Sequence, residues 1–366
     1  MKNKTKYRFL FAGGGTGGHL YPALAVAQQI RELLPEAEIL FIGSKDKIES
    51  RVVPEYGFEF KGIPISGFAR KFNMANLAFP FKLIYSSLKC LIISFIYKPK
   101  VAIGSGAYVS GPAIWAASVM GAKIILLEQN SYPGVTNRIL EKRAEQIHLS
   151  FEESKKYFRN EKKLIVSGNP IRLNLSIQNR EDSIRKFELD PAKKTLLVLG
   201  GSGGAKSINE AVAQNILQLT TMGIQIIWQT GKYYFETYKG YNSSNIKIFA
   251  FIDDMQSAYS ACDLVLARSG ATTIAEIAHL GIPVVFVPSK NVAADHQFKN
   301  AKAISDTNSA ELIEDDKLMN EISEVVIKLI NDEDKLSVIK TNIKNFAKPF
   351  AANSIAKSAI LLAEQN

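Results

Sequence analysis

The chain has 366 residues, 46% hydrophobic and 22% charged, a composition too apolar for a disordered chain and a length that suggests two domains. Its two cysteines, Cys90 and Cys262, lie far apart and form no CxxC pair; they support neither a disulfide framework nor a structural zinc site, and a reducing cytoplasm fits. The formal net charge of +10 suits either plain solubility or an anionic partner, whether nucleic acid, acidic lipid or a phosphorylated substrate.

The first apolar stretch, Arg8–Ala12, runs straight into glycines; it reads as a buried strand and is too short for a signal-peptide core. Residues 39–42, 101–103 and 123–127 read as further strands, and 23–34, 81–97 and 112–120 as the helices between them. Such alternation predicts a parallel sheet with helices on both faces. No stretch reaches the roughly 18 uncharged apolar residues of a membrane span. The nearest, 77–97, contains Pro80, Lys82 and Lys89. The pattern restarts near Gly168-Asn169-Pro170, with strands at 195–199, 224–229, 246–249, 264–267 and 284–287. Helices are expected at 207–220, 272–279 and 297–304, followed by a mostly helical stretch over 321–364 that breaks at Lys348-Pro349. The expected fold class is therefore α/β, with two doubly wound halves and a linker near 167–170.

The halves echo each other. Each opens with a strand, a glycine loop and a helix: Gly13-Gly14-Gly15-Thr16-Gly17-Gly18 in the first, Gly200-Gly201-Ser202-Gly203-Gly204 in the second. Without side chains the backbone approaches a ligand closely, and the helix behind aims its N–H groups and positive dipole end at it, which suits phosphate. Gly13, Gly15 and Gly18 also satisfy the dinucleotide pattern GxGxxG, with Glu36 or Glu38 as the acidic partner, but that reading uses only one of the two loops. A purely structural turn is the remaining alternative.

The run from Gly13 through His19-Leu20-Tyr21-Pro22-Ala23 resembles the opening of the undecaprenyl-diphospho-muramoylpentapeptide β-N-acetylglucosaminyltransferases of peptidoglycan synthesis. Further matches follow in order: Gly104-Ser105-Gly106-Ala107-Tyr108, Glu128-Gln129-Asn130, Gly168-Asn169-Pro170-Ile171-Arg172, the second glycine loop, Phe251-Ile252-Asp253-Asp254-Met255, Arg268-Ser269-Gly270-Ala271-Thr272-Thr273 through Glu276, and Asp295-His296-Gln297. One departure is Gly203, where the family more often has glutamine.

The resemblance implies two facing doubly wound Rossmann-like domains of the glycosyltransferase B type. Residues 1–167 would bind the acceptor, with 349–366 packing back on them, and 168–348 would bind the donor. It implies transfer of N-acetylglucosamine from UDP-N-acetylglucosamine to the C4 hydroxyl of a lipid-linked muramoyl-pentapeptide, with inversion. No metal or other cofactor and no nucleic acid would be involved. Partners would be the anionic cytoplasmic face of the cell membrane, bound peripherally, and other cell-wall synthesis proteins. Rival readings are a UDP-N-acetylglucosamine 2-epimerase and a non-catalytic nucleotide-sugar sensor.

Residue by residue, the family pattern places donor contacts at Thr16, Gly17, Gly18, Asn130, Arg172, Ser202, Ile252, Ala271, Thr272, Thr273, Glu276 and Gln297. Glu276 would take the ribose hydroxyls, and the Ile252 backbone would read the uracil edge. His19, whose ordinary pKa suits proton removal near neutrality, is the first candidate base. Glu128 is the second, and His148, His279 and His296 are weaker ones. Asp332-Glu333-Asp334 matches a metal-binding DxD pattern but reads as a solvated charged run. Phe68-Ala69-Arg70-Lys71-Phe72 and 77–97 read either as a core helix with basic ends or as an interfacial segment on an anionic bilayer.

Overall fold

The computed structural model describes residues 7–65, 79–173, 175–290 and 295–365, so the Phe68–Phe72 segment lies outside the described residues. The chain forms two compact units, Met1–Leu173 with Lys348–Asn366, and Asn174–Ala347. In the first unit the elements run β1 (Arg8–Ala12), α1 (Gly17–Leu33), β2 (Glu38–Ser44), α2 (Ile48–Glu55), β3 (Glu59–Ile63), α3 (Phe79–Tyr97), β4 (Val101–Gly104), α4 (Ala107–Val119), β5 (Lys123–Glu128), α5 (Val135–Leu140), β6 (Gln146–Leu149) and β7 (Leu164–Val166). All strands pair in parallel in the order β3-β2-β1-β4-β5-β6-β7.

Side-chain alternation along β1 builds two cores, one per face of the sheet. Phe9 and Phe11 pack with Leu24 and Ala27 of α1, while Leu10 and Ala12 pack with Ala113 and Ile114 of α4. Both α1 and α4 begin earlier than the sequence pattern suggests, with Pro22 and Pro112 inside them. Each proline is the sixth residue of its helix, so it removes a single ladder bond close to the N-terminus and the helix survives.

The second unit runs α6 (Arg180–Lys186), β8 (Thr195–Leu199), α7 (Lys206–Thr221), β9 (Gln225–Gln229), α8 (Phe235–Tyr238), β10 (Ile246–Phe249), α9 (Met255–Ala261), β11 (Leu264–Ala267), α10 (Ala271–Leu280), β12 (Val284–Phe286), α11 (His296–Ser305), β13 (Glu311–Leu312), α12 (Leu318–Ile330) and α13 (Glu333–Ile343). Its sheet is again parallel, in the order β10-β9-β8-β11-β12-β13. Leu196 and Val198 of β8 pack beneath Ile208 and Val212 of α7 and Ile322 and Val326 of α12. Asp332 caps α13 by accepting the N–H of Lys335, and Glu333 pairs with Lys194, so the DxD run is the start of a surface helix.

The last helix, α14 (Ala351–Glu364), returns to the first unit, where Ile355, Ala356 and Ala359 join the core that Phe9 and α1 build. The division between units falls at Leu173 rather than at 167. Residues 168 and 169 are held by the first sheet: the Gly168 N–H donates to the Leu149 carbonyl, and Ser150 donates to Asn169 at 3.4 Å. Gly168, at φ +86°, leaves room only for the returning Lys348 side chain.

Helix α3 departs from the core-helix reading. Ser86, Cys90 and Ser94, four residues apart, form its buried face, small enough to seat the helix closely on α4. Phe81, Ile84, Tyr85, Leu88, Ile92, Phe95 and Ile96 are exposed, Phe81 at 75% and Ile96 at 70%. Burial pushes the Cys90 thiol up to about 12, so it behaves as a small apolar group.

Candidate active-site elements

In an open parallel sheet, ligands bind beyond the carboxyl ends of the strands where the strand order reverses. In the first unit that point lies between β1 and β4, the neighbours from which the order runs outward in both directions. The loops leaving these two strands carry Gly13–Thr16 and Ser105–Gly106, and they interlock. Ser105 Oγ donates to the His19 carbonyl at 2.7 Å, and a Cβ at Gly13 would fall 1.7 Å from that Oγ. Gly106, at φ +95°, lies against the His19 ring.

His19 Nδ1 faces two oxygens, the Ser105 carbonyl at 2.8 Å and Gln129 Oε1 at 3.1 Å. Both only accept, so Nδ1 carries the proton and the lone pair sits on Nε2. The ring is half-buried, with Thr16 and Gly18 exposed beside it and Gly17 buried at the head of α1. Thr16 takes the N-cap position without a side-chain hydrogen bond to the helix.

Two carboxylates organise this end of the unit. Glu49, fully buried on α2, accepts the N–H of Gly15 and of Ser44, each at 2.8 Å. It thereby pairs the Gly15 amide of the first glycine loop, a loop that reads from sequence either as a phosphate cradle or as a structural turn. Its carboxylate fills the space that a Cβ at Gly14 would need, so the glycines of this loop serve an internal anion as well as a close approach. Glu128, 2% exposed at the end of β5, has both oxygens engaged. Oε1 accepts from the Asn130 N–H (3.0 Å) and side-chain amide (3.3 Å); Oε2 accepts from the Gly134 N–H and Asn137 Nδ2, each at 2.9 Å. Four donors on one buried carboxylate tie it to the 130–137 loop and order that loop.

Arg172 lies in the first unit, stacked at 4.4 Å over the Tyr21 ring of α1, not in the half expected to hold the donor. His148 is buried in β6, where burial pulls its pKa down to about 4 and keeps it neutral; His279 bonds the Leu175 carbonyl at 3.0 Å.

In the second unit the order reverses between β8 and β11. The loop after β8 turns through Gly201 (φ +86°) and Gly204 (φ +79°), where a Cβ would meet the Thr230 carbonyl at 2.0 Å; Ser202 is half-buried on the turn. The loop after β11 ends at Gly270, the N-cap of α10. The first helical bond there is Ile274 N–H to the Gly270 carbonyl, so the N–H groups of Ala271, Thr272 and Thr273 lie ahead of the ladder at the positive end of the helix. Glu276, 5% exposed one turn on, accepts the Tyr259 hydroxyl at 2.9 Å. Ser269 Oγ donates to the Gln297 carbonyl, and Gln297 Oε1 accepts the Ser289 N–H, each at 2.9 Å.

Arg268 braces this end. Its guanidinium donates to Asp315 and Ser207, both at 2.6 Å, which ties the end of β11 to the start of α7. Ile252 is 2% exposed, and its N–H already donates to Gln229 Oε1 at 2.9 Å. The backbone group expected to read a uracil edge therefore has an internal partner. The sequence gives no sign of the roles of Glu49, Tyr259 and Gln229, and it marks Gln129 only as part of a motif; all four act across long sequence separations.

Comparison with known proteins places both units in one family. The N-terminal domain of glycosyltransferase family 28 matches residues 9–149, and the C-terminal domain of that family matches 195–357. A protein of Flavobacterium psychrophilum, UDP-N-acetylglucosamine–N-acetylmuramyl-(pentapeptide) pyrophosphoryl-undecaprenol N-acetylglucosamine transferase, is 44% identical over 98% of this chain and 98% of its own. Among solved structures, MurG of Acinetobacter baumannii aligns with a TM-score of 0.71 at 27% identity, covering 96% of this chain and 99% of that one. A UDP-N-acetylglucosamine 2-epimerase of Listeria monocytogenes aligns at 0.70 but is only 11% identical over 97% of this chain and 96% of its own, a likeness of fold alone. Two parallel-sheet units of the glycosyltransferase B fold, both family domains and this full-length identity place the chain among the family 28 hexosyltransferases, with the N-acetylmuramyl-(pentapeptide) pyrophosphoryl-undecaprenol N-acetylglucosamine transferases.

Proposed function

We propose that the chain transfers N-acetylglucosamine from UDP-N-acetylglucosamine to the C4 hydroxyl of a muramoyl-pentapeptide carried on undecaprenyl diphosphate. The observation that carries this reading is His19, whose Nδ1–H is held by two oxygens so that Nε2 is a bare base beside the β1–β4 reversal. The acceptor oxygen attacks the anomeric carbon while Nε2 takes its proton. The bond from that carbon to the diphosphate breaks, and UDP leaves with the electron pair. The head of α10, with the Thr272 and Thr273 hydroxyls, receives the developing charge, and Glu276 takes the ribose hydroxyls. A single displacement inverts the anomeric carbon. This chemistry asks for no metal ion.

The test is UDP release with and without the lipid-linked acceptor, in chelator. The expected result is release that requires acceptor and survives chelation. Release without acceptor would instead mark an epimerase or hydrolase, and binding without turnover would mark a sensor.

The exposed apolar stripe of α3 supports peripheral docking on a membrane that carries the acceptor. The helix meets the length and apolar composition of a span, but its Ser86–Cys90–Ser94 face is packed on the unit, so it lies along the surface. Lys89 donates inward to the Gly62 carbonyl at 2.8 Å, and Lys82 lies on the exposed side of the helix. Replacing Ile84, Leu88 and Ile92 with glutamate should cut binding to anionic vesicles at least tenfold, because three apolar side chains leave the acyl boundary. Undiminished sedimentation with vesicles would overturn the docking.

A further inference from the structure

Gln229 ends β9 at the carboxyl edge of the second sheet and is 4% exposed. Its carboxamide spans two loops. Oε1 accepts the Ile252 N–H at 2.9 Å, and Nε2 donates to the Gly201 carbonyl at 3.2 Å. The amide orientation is set by its partners, since an N–H can face only an acceptor and a carbonyl only a donor. The loops around it leave little slack: a Cβ at Gly231 would lie 2.5 Å from the Gly203 backbone, and the Thr230 N–H donates to the Phe249 carbonyl.

Ile252 therefore holds a buried N–H that is satisfied without any ligand. A nucleotide base that uses this N–H must present an acceptor, which on uracil is a carbonyl oxygen, and must first displace Gln229 Oε1. We infer that Gln229 is a positioning residue that acts as an internal stand-in for the base carbonyl, keeping the Ile252 N–H paired between turnovers and competing with the bound nucleotide. The inference rests on the reading that the second unit takes a uridine diphosphate donor.

The exchange has a signed consequence. In the native protein one hydrogen bond replaces another, so the Ile252 N–H contributes little net affinity. Without the stand-in, the N–H is orphaned in the free protein and satisfied only in the complex. A buried orphan donor is worth on the order of tenfold in a binding constant. A stronger acceptor in place of the amide competes harder.

UDP binding is measured by calorimetry on the full chain. Gln229→Met, similar in length and with only a weak thioether acceptor, should bind UDP roughly five- to tenfold more tightly. Gln229→Glu, which sets a carboxylate on the Ile252 N–H, should bind about tenfold more weakly. Amide exchange gives an independent reading. The Ile252 N–H should be protected in the free native protein, unprotected in free Gln229→Met, and protected again when UDP is added. Should Gln229→Met not fold, Gln229→Asn, one methylene too short to reach, carries the same expectation. Weaker or unchanged binding in Gln229→Met would overturn the inference, since a loop brace or a direct nucleotide contact loses affinity in every variant. A native protein that does not bind UDP at all would sink the donor reading itself, a result visible before any variant is made.

Discussion

His19→Ala is expected to lower the rate of acceptor-dependent UDP release by about 10²- to 10⁴-fold, the usual contribution of a positioned general base. UDP binding should stay within about twofold of the native value, because the contacts proposed for the diphosphate and ribose, at Thr272, Thr273 and Glu276, lie in the second unit and His19 in the first. The stability cost should be small: the half-buried ring leaves behind Gln129 Oε1 and the Ser105 carbonyl, both acceptors that tolerate a lost donor better than a donor tolerates a lost acceptor. Steady-state UDP release, calorimetric UDP binding and thermal unfolding of the same preparation separate these effects. Native activity in a folded His19→Ala would remove His19 from the mechanism.

Glu128→Ala is expected to destabilise the first unit by about 3 kcal/mol or more, since four donors from Asn130, Gly134 and Asn137 lose their shared acceptor. Glu128→Gln keeps the shape but turns an NH2 toward at least one of those donors, and it should also fall well below native stability. Activity should fall in step with the folded fraction and with disorder of the 130–137 loop, which carries Asn130. Denaturant unfolding followed alongside turnover decides the matter. A variant of native stability that had lost all turnover would instead assign Glu128 a direct part in the chemistry.

The two carboxylates show where sequence reasoning stopped. The position of Glu128 at the end of an apolar run marks it for the ligand side of a sheet, and that placement holds. Its engagement does not follow from the run, because Gly134 and Asn137 come back to it only once α5 has folded. Glu49 carries no local signal at all: it reads as a charge at the start of a short helix, and only the approach of α2 to the first glycine loop buries it. Helix α3 was ambiguous for a related reason. An apolar pattern reports that a face avoids water but not what it meets, and the small residues Ser86, Cys90 and Ser94 turned out to be the inner face.

By itself the sequence determined the elements whose signals are local. Arg8–Ala12 and Thr195–Leu199, each ended by a glycine, and Leu264–Ala267, ended by Arg268, are short, mostly apolar runs; these and Ile246–Phe249 are strands at those bounds. Alternation with helices dictated two parallel sheets, and glycine punctuation marked the loops at their carboxyl ends. Only the tertiary structure decided which polar groups are already paired. The His19 tautomer, the four donors on Glu128, the Glu49 carboxylate under Gly15 and the Gln229 amide on Ile252 all join residues 23 to 110 positions apart, or groups that a loop must first fold back. Hydrogen-bond partnership depends on distances of about 3 Å and on direction, which strand and helix periodicity do not encode across such separations.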